Sequence, residues 1–356
     1  MTESWSGKQA DFLRIKKFAS LDGLRCFSIL AVVWHHATGI GKGFLGVEIF
    51  FAISGFLITT LLLRERRAYG DISLPKFYAR RSLRIFPLYY AVLLLYVVMV
   101  YATQRHLEAG QEFFHHLPFF ATYTSNWFVP LGTRVIFYFS WSLATEEQFY
   151  LVVPSIEKYL SSFAVLAIML AAGLHLASAW IPMGIVIAKI STPLCFGVLA
   201  AHGLDSAKSY RFLGAVTYPK FASVLWLVAV IAAAWTNAHE ILLATAMTGL
   251  VVSSVIRPDH YLAWFLDWEP FQSVGRVSYG MYMLHQLCLS FLKKAVPSLP
   301  PAALFAAGSV VSYLAASASY RWYESPFLRL KKRYEHSGND VAQSKKKQIQ
   351  PEAESA

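Results

Sequence analysis

Arg25 and His36 stand eleven positions apart in the stretch LDGLRCFSILAVVWHHATGIG, which is apolar from Cys26 to Trp34 except for Ser28. An imidazole can take a proton from a hydroxyl near neutral pH, and a guanidinium binds phosphate or carboxylate through two parallel hydrogen bonds. At 100° per residue, eleven positions return the chain to within about 20° of the same helix face, about 16 Å further along the axis. His36 therefore lines up with Arg25, whereas His35 falls about 80° away and reads as a polar residue at a membrane interface. The plainer alternative for His36 is a buried histidine bonded to a neighbouring carbonyl.

Other segments carry groups of the same kind. Glu48 lies in GVEIFFAISGFLIT, and Glu146 and Glu147 lie in WSLATEEQFYLVVP, each about one turn inside an apolar segment. These carboxylates are expected near the depth of His36, where Glu146 or Glu48 would orient the imidazole for general acid–base work. Each alone is equally a charge at a helix start, favoured by the helix dipole. Gly55, seven positions after Glu48, would let another helix approach closely. In GRVSYGMYMLHQL, Tyr279, Tyr282 and His285 follow Arg276, and Tyr282 and His285 share a face at i, i+3. They are expected to support the site, with a structural bond between helices the alternative for His285. On the other side, RERRAYGDISLPKFYARRSLRIFP brings Arg80, Arg81 and Arg84 to the opening of an apolar segment. With Arg25 and Arg276 they could hold a phosphate-rich ligand, although lipid headgroups and topology also draw such charge. Cys26, Cys195 and Cys288 have no metal-ligand spacing. GIGKGFLG lacks the Ser or Thr and the preceding strand of a phosphate-binding loop.

The elements that must position these residues are membrane helices. The chain has 356 residues, 56% hydrophobic and 15% charged, where soluble domains carry about 25% charged residues. Its net charge of +11 is confined to short loops and the tail, which argues for membrane topology and against nucleic acid. A spanning helix needs about 20 apolar residues. Ten segments qualify, near 20–38, 45–63, 85–103, 142–160, 163–181, 184–202, 220–236, 240–256, 274–294 and 302–322. The predicted fold is an all-α, polytopic membrane bundle, with the first segment retained as an anchor. With the N-terminus inside, sixteen Lys and Arg fall inside before the tail and six outside, so both termini are expected in the cytoplasm. The divisions are a cytoplasmic segment over 1–19, a transmembrane domain over 20–328 and a basic, disordered tail over 329–356. The longest loop, near 104–141, falls outside and carries HHLPFFATYTSNWFVPLG, which would lie on the membrane or cover a site.

Together, LDGLR, His36, GVEIFFAISGFLIT, FYARRSLRIFPLYY, WSLATEEQFYLVVP, VGRVSYGMYMLHQL and YRWYESPF resemble, in order, the acyltransferase family 3. The resemblance covers about 21 to 327. It implies a ten-helix core in a cell membrane, here a bacterial inner membrane. The implied donor is acyl-CoA, most simply acetyl-CoA, reached from the cytoplasm as a co-substrate. The implied acceptor is a glycan or other hydroxyl compound at the outer face, and no permanently bound cofactor or metal is implied. Arg25 and His36 match the family's functional pair, Glu146 its tryptophan–serine–leucine glutamate, and Glu48 a position where many relatives carry Asp. Cys26 stands where many relatives have a small residue. Some relatives continue into a further helix and an esterase-like domain; without these, the chain is expected to present the acyl group directly or through a partner. The competing class is a transporter or flippase, disfavoured by the lack of inverted repeats. The oligomeric state is not legible.

Overall fold

The computed structural model describes residues 4–130, 135–177 and 187–335, and among these every regular element is helical. A short amphipathic helix, α1 (Trp5–Arg14), precedes α2 (Ala19–Thr38), the helix of Arg25 and His36. After it come α3 (Leu45–Tyr69), α4 (Leu74–Thr103), α5 (Glu108–Ala121), α6 (Ser125–Phe128) and α7 (Trp141–Tyr159). The middle of the chain forms α8 (Ser162–Ala177), α9 (Ile187–Asp205), α10 (Ala207–Thr217), α11 (Ala222–Trp235) and α12 (Glu240–Ser253). The last third forms α13 (Ala263–Leu266), α14 (Glu269–Arg276), α15 (Ser278–Ala295), α16 (Pro301–Ala318) and α17 (Ser325–Lys331).

Each of the ten expected segments overlaps a helix, but the one near 85–103 falls in a helix that starts eleven residues earlier, and the one near 274–294 is divided between α14 and α15. The stretch 178–186, where the fifth and sixth segments meet, lies outside the described residues, as does the expected disordered tail beyond 335. By length and composition alone, Leu45–Tyr69, Leu74–Thr103 and Pro301–Tyr334 can each cross a membrane. Two bent pairs, α1 with α2 at 69° and α10 with α11 at 74°, also qualify when taken together.

Three differences from the sequence reading have plain causes. The segment expected over 1–19, for which no helix is predicted, contains one at Trp5–Arg14. Ser4 caps its start by accepting from the Gly7 amide at 3.3 Å, and Phe12 buries its apolar stripe. Arg64, one of the cations used to orient the chain, closes its other end by donating to the carbonyls of Ile15 (2.6 Å) and Phe12 (3.3 Å). Second, α4 begins at Leu74, so Arg80, Arg81 and Arg84 sit inside a continuous helix and not at its mouth. Third, the 104–141 loop is largely helical and packs onto the bundle. Phe113, Phe120, Phe137 and Phe139 join the core formed by α2, α4, α7 and α15.

The second core joins α2, α3, α9 and α12. Its crossing of α3 and α9 brings glycine against glycine. A Cβ on Gly55 would lie 2.2 Å from the Leu194 carbonyl oxygen, and one on Gly197 would lie 2.6 Å from that of Ala52. The close approach expected at Gly55 is made by α9.

Candidate active site

The two ends of α2 serve two different environments. At its start, Gly23 packs directly on the backbone of Leu266, and Gly275 of α14 packs on the carbonyl of Asp22, leaving no room for a Cβ at either position. That clamp fixes the first turn of α2, and Arg25 then projects into a cavity between α2, α3, α4, α7 and α15. Arg25, Arg81 and Arg84 line it together with Ser54, Ser142, Glu146, Tyr150, Tyr279 and Tyr282. Apart from Ser278, its remaining wall is apolar, built from Val47, Phe50, Phe51, Ile53, Leu57, Ile58, Ile85 and Leu143.

The charges in this cavity are unevenly matched. Arg25 is paired with Asp22 at 3.0 Å, a partner within its own helix that the sequence reading had overlooked although the i, i+3 spacing was visible. Arg81 lies over the rings of Phe77 and Tyr150, at 5.7 and 5.2 Å from their centroids. Glu146 accepts hydrogen bonds from Ser54 and Tyr150. Tyr279 turns its hydroxyl to the Ile85 carbonyl at 2.7 Å, fixing α15 against α4.

Two of the expected arginines point elsewhere. Arg80 is bound by Glu65 at 3.0 Å and by the Tyr334 carbonyl at 2.9 Å. It belongs to a second hollow, lined also by Arg81, Arg84, Lys331 and Glu335, where α17 folds back onto α4. Arg276 is held by Glu269 at 2.6 Å, near the surface.

At the other end of α2, His36 meets α15. Its Nδ1 lies 2.8 Å from Nε2 of His285, and its Nε2 lies 2.8 Å from the Tyr138 hydroxyl. The Nδ1 of His285 lies 2.6 Å from the Tyr282 carbonyl oxygen. This chain has one consistent proton arrangement for neutral rings. A carbonyl can only accept, so His285 carries its hydrogen on Nδ1 and offers a lone pair at Nε2. His36 must then donate from Nδ1, which leaves the Nε2 lone pair of His36 to accept from Tyr138. His285 is fully buried, whereas His36 and Tyr138 are each half-buried.

The expectation that Glu146 or Glu48 orients His36 is therefore corrected. Both ring nitrogens of His36 are taken, one by Tyr138 and the other by His285. Glu146 sits in the arginine-lined cavity, and Glu48 is half-buried in the first turn of α3. Depth had been inferred by counting turns from the helix start. That fails for α7 because its start is already inside the protein: the turn Tyr138–Ser140 that leads into it has Phe139 and Ser140 buried. His35 turns away from the pair, its ring edge-on to Phe44 at 5.8 Å. The pairing with His285 had no sequence signal beyond the shared Tyr282 face, and Tyr138 had none at all.

The cavity and the histidine pair are neighbours without being continuous. Tyr282 lines the cavity, and its hydroxyl lies 2.6 Å from Ser142 and donates to the Phe139 carbonyl at 2.9 Å. Phe139 in turn packs against the His285 ring at 5.6 Å. Tyr282, Ser142 and Phe139 thus lie between the arginine-lined cavity and the imidazoles.

Comparison with known proteins agrees with these motifs. A family profile described as an acyltransferase domain matches residues 18–321. A peptidoglycan O-acetyltransferase, OatA of Listeria monocytogenes, is 27% identical over 88% of this chain and 56% of its own length. The O-acetyltransferase OatA of Staphylococcus aureus is 26% identical over 90% of this chain and 59% of its own length. The chain thus spans between 56% and 59% of the length of these curated relatives. No solved structure matches it. With a multi-pass set of apolar helices and a match over most of its length, the chain belongs to the acyltransferase 3 family of membrane proteins.

Proposed function

We propose that this protein is a membrane-bound O-acyltransferase that moves an acyl group, most simply acetyl, from acyl-CoA to a hydroxyl of a cell-surface or lipid-linked glycan. Its helices form ten spans with both termini in the cytoplasm, placed in the inner membrane of a bacterium. The transmembrane domain over 20–328 carries the activity. One relative is named for acetylating peptidoglycan and another for O-acetylation, which supports acetyl as the acyl group and a glycan as the acceptor.

In this reading Arg25, Arg81 and Arg84 hold the donor's phosphates, with Arg80 steadying the neighbouring hollow. The pantetheine arm runs along the apolar wall toward the Tyr282 layer, and a rearrangement of that layer brings the thioester to His36. His36 Nε2 takes the proton of the acceptor hydroxyl as its oxygen bonds to the thioester carbon. The carbon–sulfur bond breaks, and the thiolate takes up the proton that His36 received. His285, accepting from His36 Nδ1, keeps the lone pair of the resting imidazole on Nε2 and continues to hold the Nδ1 hydrogen while Nε2 carries the proton.

The observation that carries this reading is the hydrogen-bond chain from the Tyr282 carbonyl through His285 to His36, which leaves Nε2 of His36, facing the Tyr138 hydroxyl, as the basic nitrogen of the pair. The test is mass spectrometry of surface glycans from a native host carrying wild type or His36→Ala at matched membrane abundance. Loss of the acyl mass to the level of a deletion strain is the expected result. An acyl pattern unchanged from wild type would remove His36 from the chemistry.

A further inference from the structure

The nitrogen that should meet the acceptor is already occupied. The Tyr138 hydroxyl lies 2.8 Å from His36 Nε2, the distance and the donor role that an acceptor hydroxyl would adopt. This is a built contact. Tyr138 follows Phe137, whose φ of 70° is a left-handed conformation unusual for a bulky side chain. That backbone is held by packing: Phe137 is buried, with its ring 5.0 Å from Tyr96, 5.4 Å from Phe120 and 5.0 Å from Phe139. A residue kept in a strained conformation by its surroundings is a marker of a functional constraint. Tyr138 itself is only half-buried, so its hydroxyl can be displaced from outside.

We propose that Tyr138 is a positioning residue that guards His36 against water. With no acceptor bound, its hydroxyl satisfies Nε2 and denies that nitrogen to a water molecule. An incoming sugar hydroxyl displaces it and takes its place. The guard matters because a donor thioester beside a free general base is open to hydrolysis. Water would lose a proton to His36 and bond to the thioester carbon, and the carbon–sulfur bond would break, giving a free carboxylic acid and CoA with no product. The inference rests on the reading of His36 as the base.

The test compares acceptor-free hydrolysis of acetyl-CoA by the full-length protein in detergent or nanodiscs, as wild type, Tyr138→Phe and Tyr138→Leu. Both variants lack the hydroxyl, and Phe keeps the ring. Phe and Leu should raise hydrolysis about fivefold, the equilibrium weight of one ordinary hydrogen bond. They should also lower the ratio of transfer to hydrolysis once acceptor is added. A merely structural role would lower hydrolysis and transfer together and leave their ratio unchanged. Hydrolysis that is unchanged or lower in Phe and Leu would overturn the proposal, as would an acyl group found attached to Tyr138 itself. The double variant His36→Ala/Tyr138→Phe separates the two layers of inference. If the rise vanishes there, both stand; if it persists, the guard is real but the base is not His36, and the guard's placement on His36 falls with it.

Discussion

At the scale of single residues, the unusual feature is a histidine supported by a second histidine where a carboxylate might be expected. A carboxylate partner would place a full negative charge beside the imidazole. His285 offers a neutral lone pair, itself polarised by the Tyr282 carbonyl. The pair therefore stays uncharged at rest, which suits a site largely removed from water. We predict that His285→Ala lowers kcat for transfer about a hundredfold, toward the lower end of what a positioned base contributes. The KM for acyl-CoA should hold steady, because Tyr282 lines the arginine cavity and His285 does not. A rise in KM without a fall in kcat would show that His285 acts on donor binding. How much of this was legible depended on whether the information lay within one helix. The facing of Arg25 and His36 followed from 3.6-residue periodicity and needed no knowledge of neighbours. The partners of His36 come from α15 and from the turn before α7, and no periodicity within α2 encodes which helix lies opposite. Glu146 shows the same limit: its residue type marked it correctly as a polar group inside the bundle, but its cavity is fixed by how far α7 is drawn inward.

At the scale of elements, apolar runs located the helices well because each run is a continuous local signal. Among the elements missed was α1, a helix too short and too polar for that signal, held by side chains distant in sequence. Trp5 packs edge-on to Tyr210 and Tyr218, at 6.4 and 5.9 Å. Gly55, by contrast, announced a close helix crossing without naming the partner. The crossing of α3 and α9 sets where Ser54, one residue before Gly55, meets Glu146. Gly55→Ala should thus act twice. A Cβ 2.2 Å from the Leu194 oxygen forces the helices apart, destabilising the fold by about 1–3 kcal/mol, as overpacking does. It should also loosen the Ser54–Glu146 contact. Thermal unfolding in detergent, followed by the loss of monodisperse protein, measures the first effect. A midpoint equal to wild type would show that α9 can yield at no cost.

At the scale of the whole molecule, one helix links the arginine-lined cavity to the histidine pair, the two places that the proposed function gives to donor and acceptor. α2 carries Arg25 in the cavity near its start and His36 near its end, and the clamp at Gly23 and the contact with His285 hold both ends in register. The sequence disclosed this span as a single apolar run, but not that the path between its ends is interrupted. The layer of Tyr282, Ser142 and Phe139 has each side chain at or below 8% exposure. On the proposed reading, with donor and acceptor reached from opposite faces of a bacterial inner membrane, such a layer would have an electrical consequence. The cell maintains a proton gradient across that membrane, and every elementary charge crossing it dissipates about 2.3 kcal/mol per 100 mV. An acyltransferase with an unobstructed passage from donor to acceptor would be an ion leak. Tyr282→Ala, which removes the central side chain, should make proteoliposomes lose an imposed pH gradient faster than wild-type ones. Equal decay rates would mean that the barrier lies elsewhere. If the proposed path of the thioester to His36 holds, that same plug would let a group cross the bilayer while the current does not.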